Sequence, residues 1–269
     1  EIGGSFNEVQ AAVALTMIAC GICTILQAVR LPGLGSGFLC PNLCGPNFFS
    51  ASMSAAWLGG LPLMRGMTIF AGLVEIVFAR FFHRLAFLFP TEVTGLVVFM
   101  VGVGLIPVGA SQFLHINFVG EPIDINGLGA AAATFLIMVG VTVWGGGNAR
   151  LYALLFGMAG GYALSAVVGL LPMAQFAQVA TAPWIGLPLL DQPFAFSFDW
   201  SLAPVFIIVS ICGALKSYGN LVLCEKVNDD AWTAPDQRRI GRGLVADGVC
   251  VTLSGVLGGV ASDTSASNV

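Results

Sequence analysis

Along the chain, apolar positions gather into stretches near 9–29, 63–80, 93–110, 127–145, 151–171, 202–224 and 243–260. A helix crossing about 30 Å of hydrocarbon needs roughly 17–25 residues, so each stretch predicts one membrane-crossing helix. Two further stretches break the template. Residues 34–60 are apolar but interrupted by Gly35, Gly37, Pro41, Gly45 and Pro46, and residues 258–269 are short, small and polar, running Gly-Gly-Val-Ala-Ser-Asp-Thr-Ser-Ala-Ser-Asn-Val. Irregular backbone at membrane depth survives only where it is buried in protein or lines a cavity. Interrupted segments in corresponding places of two halves are the usual pointer to a transporter's binding site.

The basic residues test this division. Eight of the ten fall into gaps between the stretches: Arg30; Arg80 and Arg84; Arg150; and Lys226, Arg238, Arg239 and Arg242. With the first broken segment counted as one crossing, those gaps share one side of the membrane. The intervening gaps 111–126 and 172–201 hold no Lys or Arg but do hold Glu121, Asp124, Asp191 and Asp199, and Arg65 is the exception among the loops. Cytoplasmic loops carry the Lys/Arg excess, so the gaps around 30, 80–84, 150 and 226–242 are expected in the cytoplasm and Glu1 outside. The gap 172–201, with Trp184, Pro188, Phe194, Phe196 and Trp200, predicts a hairpin lying at headgroup depth.

Composition agrees. Of 269 residues, 57% are hydrophobic and 9% charged, and the mean hydropathy is +0.91. A soluble domain carries about 25% charged residues, so lipid must be the solvent for most of this chain. The 35 glycines suit helices that pack closely in a bilayer. A net charge of −4 without a basic block excludes nucleic acid as a partner. The seven cysteines lie in or beside apolar runs without His partners and are expected to pack as small hydrophobes rather than bind metal. The chain opens at Glu1 without Met and stops at Val269 inside a motif, so a piece truncated at both ends is expected.

Candidate chemistry is confined to few residues. Lys216 lies about two-thirds along the span 202–224, and an ammonium at that depth needs a cavity or a counter-ion unless it snorkels to the end near Cys224. Asp247 in the next span and Asp263 in the second broken segment are its possible partners; a helix-capping or bundle-holding role is the alternative for both. Glu75 and Glu92 lie nearer predicted ends and are expected at the interface. His83 and His115 fall in loops, with no nucleophile–base arrangement around them, so no catalytic residue is assigned. At Gly45-Pro46-Asn47-Phe48, proline at a first helical position after glycine predicts a half-helix whose free N–H groups point inward. Ser267 and Asn268 would supply matching polar groups.

Several motifs carry a resemblance. Leu26-Gln27 before Gly-rich sequence, Gly45-Pro-Asn-Phe48, Phe89-Pro-Thr-Glu-Val-Thr-Gly-Leu-Val-Val98 continuing to Gly102 and Leu105-Ile-Pro107, Arg242-Gly-Leu-Val-Ala-Asp-Gly248, and Thr264-Ser-Ala-Ser-Asn-Val269 resemble, in order, motifs of the nucleobase–ascorbate (uracil/xanthine permease) family. The resemblance implies an all-α polytopic membrane protein of two inverted seven-helix repeats, here about segments 2–10, with each broken segment a short strand followed by a half-helix. It implies a core domain (1–87 and 199–269) and a gate domain (88–198), dimerisation, and elevator-like symport with H+ favoured over Na+ and no other cofactor.

By position, the family's substrate-binding carboxylate falls on Lys216 and a further polar contact on Asn220. The backbone donors fall on Phe48 and Ala266, and the signature polar pair falls on Ser267 and Asn268. Lys216 and Ser267 depart from the family pattern: an ammonium offers three donors where a carboxylate accepts, and a serine hydroxyl is short. Either the ligand is more acidic or anionic, or Asp263 or Asp247 neutralises Lys216. The leading expectation is a bacterial inner-membrane symporter for a base such as uracil or xanthine/urate. The alternative is an anion exchanger or channel of related architecture, using Lys216 and the half-helix N-termini.

Overall fold

A computed structural model of the chain describes residues 6–85, 91–114, 124–171 and 195–265. Its helices are α1 (Phe6–Ala28), α2 (Phe49–Leu85), α3 (Thr91–Phe113), α4 (Ile125–Trp144), α5 (Ala153–Val167), α6 (Ala203–Asn228) and α7 (Gln237–Val256). Two three-residue strands complete it, β1 (Asn42–Cys44) and β2 (Ser262–Thr264). Among the described residues, five helical segments are long and apolar enough to cross a membrane: Ala11–Ala28, Pro46–Phe82, Gly95–Phe113, Ile125–Trp144 and Ala203–Asn228.

The chain divides into two compact units, Glu1–Gly102 with Leu187–Val269, and Val103–Gly186. In the second, α4 and α5 pack through small residues: Gly157, Gly160 and Gly161 of α5 meet Met138, Ile137 and Thr134 of α4. Lipid tails are as apolar as the helix faces, so such pairs hold by close van der Waals approach, which glycine permits. Phe113 meets Phe135 edge to face at 6.3 Å.

In the first unit, α2, α6 and α7 surround two buried clusters, one centred on Phe48, Met67, Phe206 and Val251, the other on Phe82, Leu215, Tyr218, Leu221, Ile240 and Leu244. α7 is the most polar helix of the chain and yet one of its most buried, with Gly243, Leu244, Ala246, Asp247, Gly248 and Val251 all inside. Asp236 starts it by accepting from the N–H groups of Arg238 and Arg239. Gly258, at φ 86°, ends it and turns the chain into β2.

The first broken segment ends where expected. Helix begins after the Pro46–Phe48 3-10 turn and leaves helical geometry at Gly59 (φ −142°, ψ 16°) and Gly60 (φ 70°, ψ −166°), so α2 is two helical pieces joined at a kink, the second beginning right after it. The left-handed conformation at Gly60 suits a residue without Cβ, and Pro62 two positions on starts the second half without a wasted N–H. Arg65, expected in a loop, therefore lies inside α2, 3% exposed, its Nε donating to the Gly258 carbonyl at 3.3 Å. Glu75, expected at the interface, is wholly buried, because α2 runs on to Leu85 and leaves Glu75 more than two turns from its end.

The basic residues of this unit converge. Arg80, Arg238 and Arg242 line one cavity with Gly33, and Arg239 donates to the Ser36 carbonyl at 2.8 Å while lying 3.5 Å from the Phe38 ring centre. Of the expected aromatic hairpin only its last residues are described, where Phe198 sits edge-on between Phe70 and Trp200. The rest of 172–194 lies outside the described residues.

Candidate functional site

β1 and β2, more than 200 residues apart in sequence, pair antiparallel with Asn42 opposite Thr264, Leu43 opposite Asp263 and Cys44 opposite Ser262. The Gly45 N–H donates to the Ala261 carbonyl at 2.8 Å and the Ser265 N–H to the Pro41 carbonyl at 2.9 Å, which extends the pairing at both ends. Backbone groups that lipid would leave bare are thereby satisfied within the protein. The crossing is also tied to the helices. Thr24 and Thr16 of α1 accept from the N–H groups of Asn42 and Val260, and Ser254 of α7 meets Ser262 at 2.8 Å.

The charged groups meet at this crossing. Lys216, on α6, donates to both oxygens of Asp263, at 2.7 and 2.9 Å, with the aspartate 1% and the lysine side chain 12% exposed. Asn47, from the 3-10 turn that follows β1, donates its Nδ2 to Asp263 Oδ2 at 2.7 Å. One turn beyond Lys216, the Asn220 amide donates to the Thr264 carbonyl at 2.7 Å. Asp247, fully buried on α7, accepts from the Thr264 N–H at 3.0 Å and from the Ser217 hydroxyl. β2 is thus held on one side by α6 and on the other by α7, through charge-assisted bonds of the stronger kind.

Phe48 is completely buried, its ring against Gly213 of α6, and its N–H donates to the Gly45 carbonyl at 3.1 Å within the turn. Asn47 Oδ1 and Thr264 Oγ1 are buried without a hydrogen-bond partner among the described residues. Of the site candidates named from sequence, Phe48, Lys216, Asn220, Asp247 and Asp263 come together here; Ala266, Ser267 and Asn268 lie outside the described residues.

Two participants, Asn47 and Ser217, and one buried neighbour outside the site, Glu75, escaped sequence reasoning. Asn47 and Ser217 are neutral and sit inside motifs where a neighbour drew attention. Glu75 is charged, and its position within an apolar run was the available signal. It is buried on α2 with neither oxygen meeting a donor among the described residues, and its backbone packs against Gly248, the residue after Asp247.

Two interrupted segments crossing beside a buried ion pair, inside a bundle of apolar helices, is the architecture of a solute permease. The model of a permease family, that of xanthine and uracil permeases, matches residues 2–269. The chain belongs to that family. Among its relatives are a uric acid permease, PucJ, of Bacillus subtilis, 30% identical over 95% of this chain and 57% of its own length, and a putative purine permease of Clostridium perfringens, 26% identical over the whole chain and 58% of its own length. The xanthine permease XanP of Escherichia coli K12 is 24% identical over 95% of the chain and 57% of its own length. This permease chain therefore spans a little over half the length of these relatives. Family membership and the apolar helices make this chain a multi-pass membrane segment of that family.

Proposed function

We propose that the protein containing this chain is a secondary active transporter that carries a nucleobase, such as uric acid, xanthine or uracil, across the bacterial inner membrane by symport, with H+ favoured as the coupling ion. The β1–β2 crossing at the Lys216–Asp263 pair carries this reading: there the two segments that break helical structure bring buried polar and charged groups together, and we take these groups as the lining of the binding pocket. The names of the relatives, uric acid, xanthine and putative purine permeases, support the substrate class.

In this reading Lys216, Asn220, Phe48, Ala266, Ser267 and Asn268 are the substrate-binding residues. Asp263 holds the lysine in place and Asp247 holds β2. Asn47 Oδ1, unpartnered and adjacent to Asp263, supplies an acceptor for a base N–H, which an ammonium alone does not. The proposal includes a core (1–87 and 199–269) that moves against a gate (88–198) in an elevator step within an inverted-repeat homodimer; the compact units of the chain divide at other bounds, after Gly102 and before Leu187. The meeting of Arg80, Arg238 and Arg242 near Gly33 supports a common side for the loops around 30, 80–84 and 226–242; the charge rule makes that side the cytoplasm and assigns the loop around 150 to the cytoplasm as well.

The anion-exchange alternative loses its main support, because Asp263 neutralises Lys216 through both oxygens. Uptake of radiolabelled uric acid, xanthine, uracil and chloride by vesicles holding the full-length protein separates the two. Saturable base uptake is expected. Chloride flux without base uptake would overturn the proposal.

A further inference from the structure

Glu75 takes no part in the pocket just described, yet it is the least satisfied charged group in its unit. It is fully buried on α2, and neither carboxyl oxygen meets a donor among the described residues. What it does meet is Asp247, across the interface with α7. Gly248 creates that encounter: a Cβ there would sit 2.8 Å from the Ile76 backbone nitrogen and 3.2 Å from the Glu75 carbonyl carbon, so only a glycine lets α2 come close enough.

Two ionised carboxylates in contact and out of water repel and are both desolvated, so such a pair holds one proton between them. Hydrogen-bond bookkeeping says where. An ionised carboxylate only accepts, whereas a protonated one also donates. Asp247 already accepts from Thr264 N–H at Oδ1 and from the Ser217 hydroxyl at Oδ2, as an ionised carboxylate would. Glu75 receives nothing, and a proton on it would donate to Asp247 and satisfy both groups.

We propose that Glu75 and Asp247 form a one-proton site, with the exchangeable proton on Glu75, linked through Asp247 to β2 and the pocket. This deepens the symport reading and rests on it. The charged groups facing the site are Asp247 on α7, Asp263 on β2 and Lys216 on α6, with the thiols of Cys250 on α7 and Cys23 on α1 beside it. When the proton leaves to water, Glu75–COOH becomes Glu75–COO⁻ against Asp247–COO⁻. That repulsion strains the Asp247 bonds to Thr264 and Ser217, and Thr264 and Ser217 each adjoin a member of the Asp263–Lys216 pair. Proton occupancy and pocket geometry then bias one another, and by linkage the bound base must favour the proton as much as the proton favours the base.

Two measurements on the full-length protein in lipid test this. Infrared spectra at neutral pH should contain a protonated-carboxyl C=O band that is lost in Glu75→Gln, whose amide keeps the donor to Asp247. The band should also be lost in Asp247→Asn, which offers Glu75 an amide donor. A wild type without the band, or a band unchanged in both variants, overturns the site. In vesicles with an imposed pH gradient, Glu75→Gln should lose accumulation of labelled uric acid, xanthine or uracil while retaining base-for-base counterflow. Accumulation equal to wild type overturns the coupling role. Accumulation driven by a sodium gradient, and lost in Glu75→Gln, would make this a metal-cation site and overturn the proton assignment. If wild type moves none of these bases, the transport reading fails while the infrared band still decides the proton.

Discussion

At the scale of single residues, the Lys216–Asp263 pair sets what the pocket can be. Removing one partner leaves the other charge largely buried and unpaired, whereas removing both together leaves only a shape change. Lys216→Met or Asp263→Asn alone should each cost about 3–5 kcal/mol of stability, as breaking a buried pair does. The double variant should recover most of that loss, a coupling readable from thermal unfolding of the four proteins as a double-mutant cycle. Additive losses would show that the two side chains do not depend on one another. These two residues were legible because a charge inside an apolar run is costly and must be answered. Glu75 obeys the same logic and was passed over for a simple reason: closing its span at Arg80 set it within two turns of an end that the helix does not have. Asn47 carried no such flag, since a neutral amide after a proline looks like turn chemistry until its partner, 216 residues on, is in view.

At the scale of elements, the spans were legible from hydrophobic runs alone, and their ends were not. α7 shows why. Its apolar run begins at Gly243, but Asp236 caps the helix two turns earlier, and the polar first turns are held by Ser36 and Phe38, which are far away in sequence. The packing of α7 on α2 then depends on backbone approach at particular glycines. Gly248→Ala should force the α2 backbone outward, for about 1–3 kcal/mol, whereas Gly241→Ala, which meets nothing within 4 Å, should be neutral or mildly stabilising. Comparing their melting temperatures in detergent checks this, and equal effects would refute the close approach. The break in α2 follows a similar rule: Gly60→Ala places a Cβ in a left-handed conformation, which costs roughly 1–2 kcal/mol. The gap between the broken segment, ending at 60, and the span from 63 was legible in the sequence, although not which residues, Gly59 and Gly60, leave helical geometry there.

At the scale of the whole molecule, everything turns on the crossing of two segments from opposite ends of the chain. That both would be irregular, and the second polar, followed from their composition; that they pair, and in which register, did not, because three-residue strands have no periodicity to read. The register makes a strong demand. Gly45 with Ala261, and Pro41 with Ser265, are joined by ladder hydrogen bonds, so the alternation of an antiparallel pair makes Cys44 and Ser262 a closely spaced pair without them. Such pairs have Cα atoms about 4.5 Å apart, within the range of about 4.4–6.8 Å that a disulfide spans. Ser262→Cys should therefore form a cross-link with the native Cys44 under mild oxidation. In a Cys23→Ala background, which removes the native thiol that meets Cys250 and Ser262, proteolysis in the exposed stretch between α6 and α7 should leave two fragments that migrate together until reduced, while the same background without Ser262→Cys separates. A one-residue slip in register would turn the new thiol to the opposite face and abolish the link. Because both strands lie in the same compact unit, the cross-linked protein should also keep its base uptake. Uptake lost on oxidation and restored on reduction would mean that the two segments must part during transport, and that the crossing is a moving gate rather than the fixed floor of the pocket.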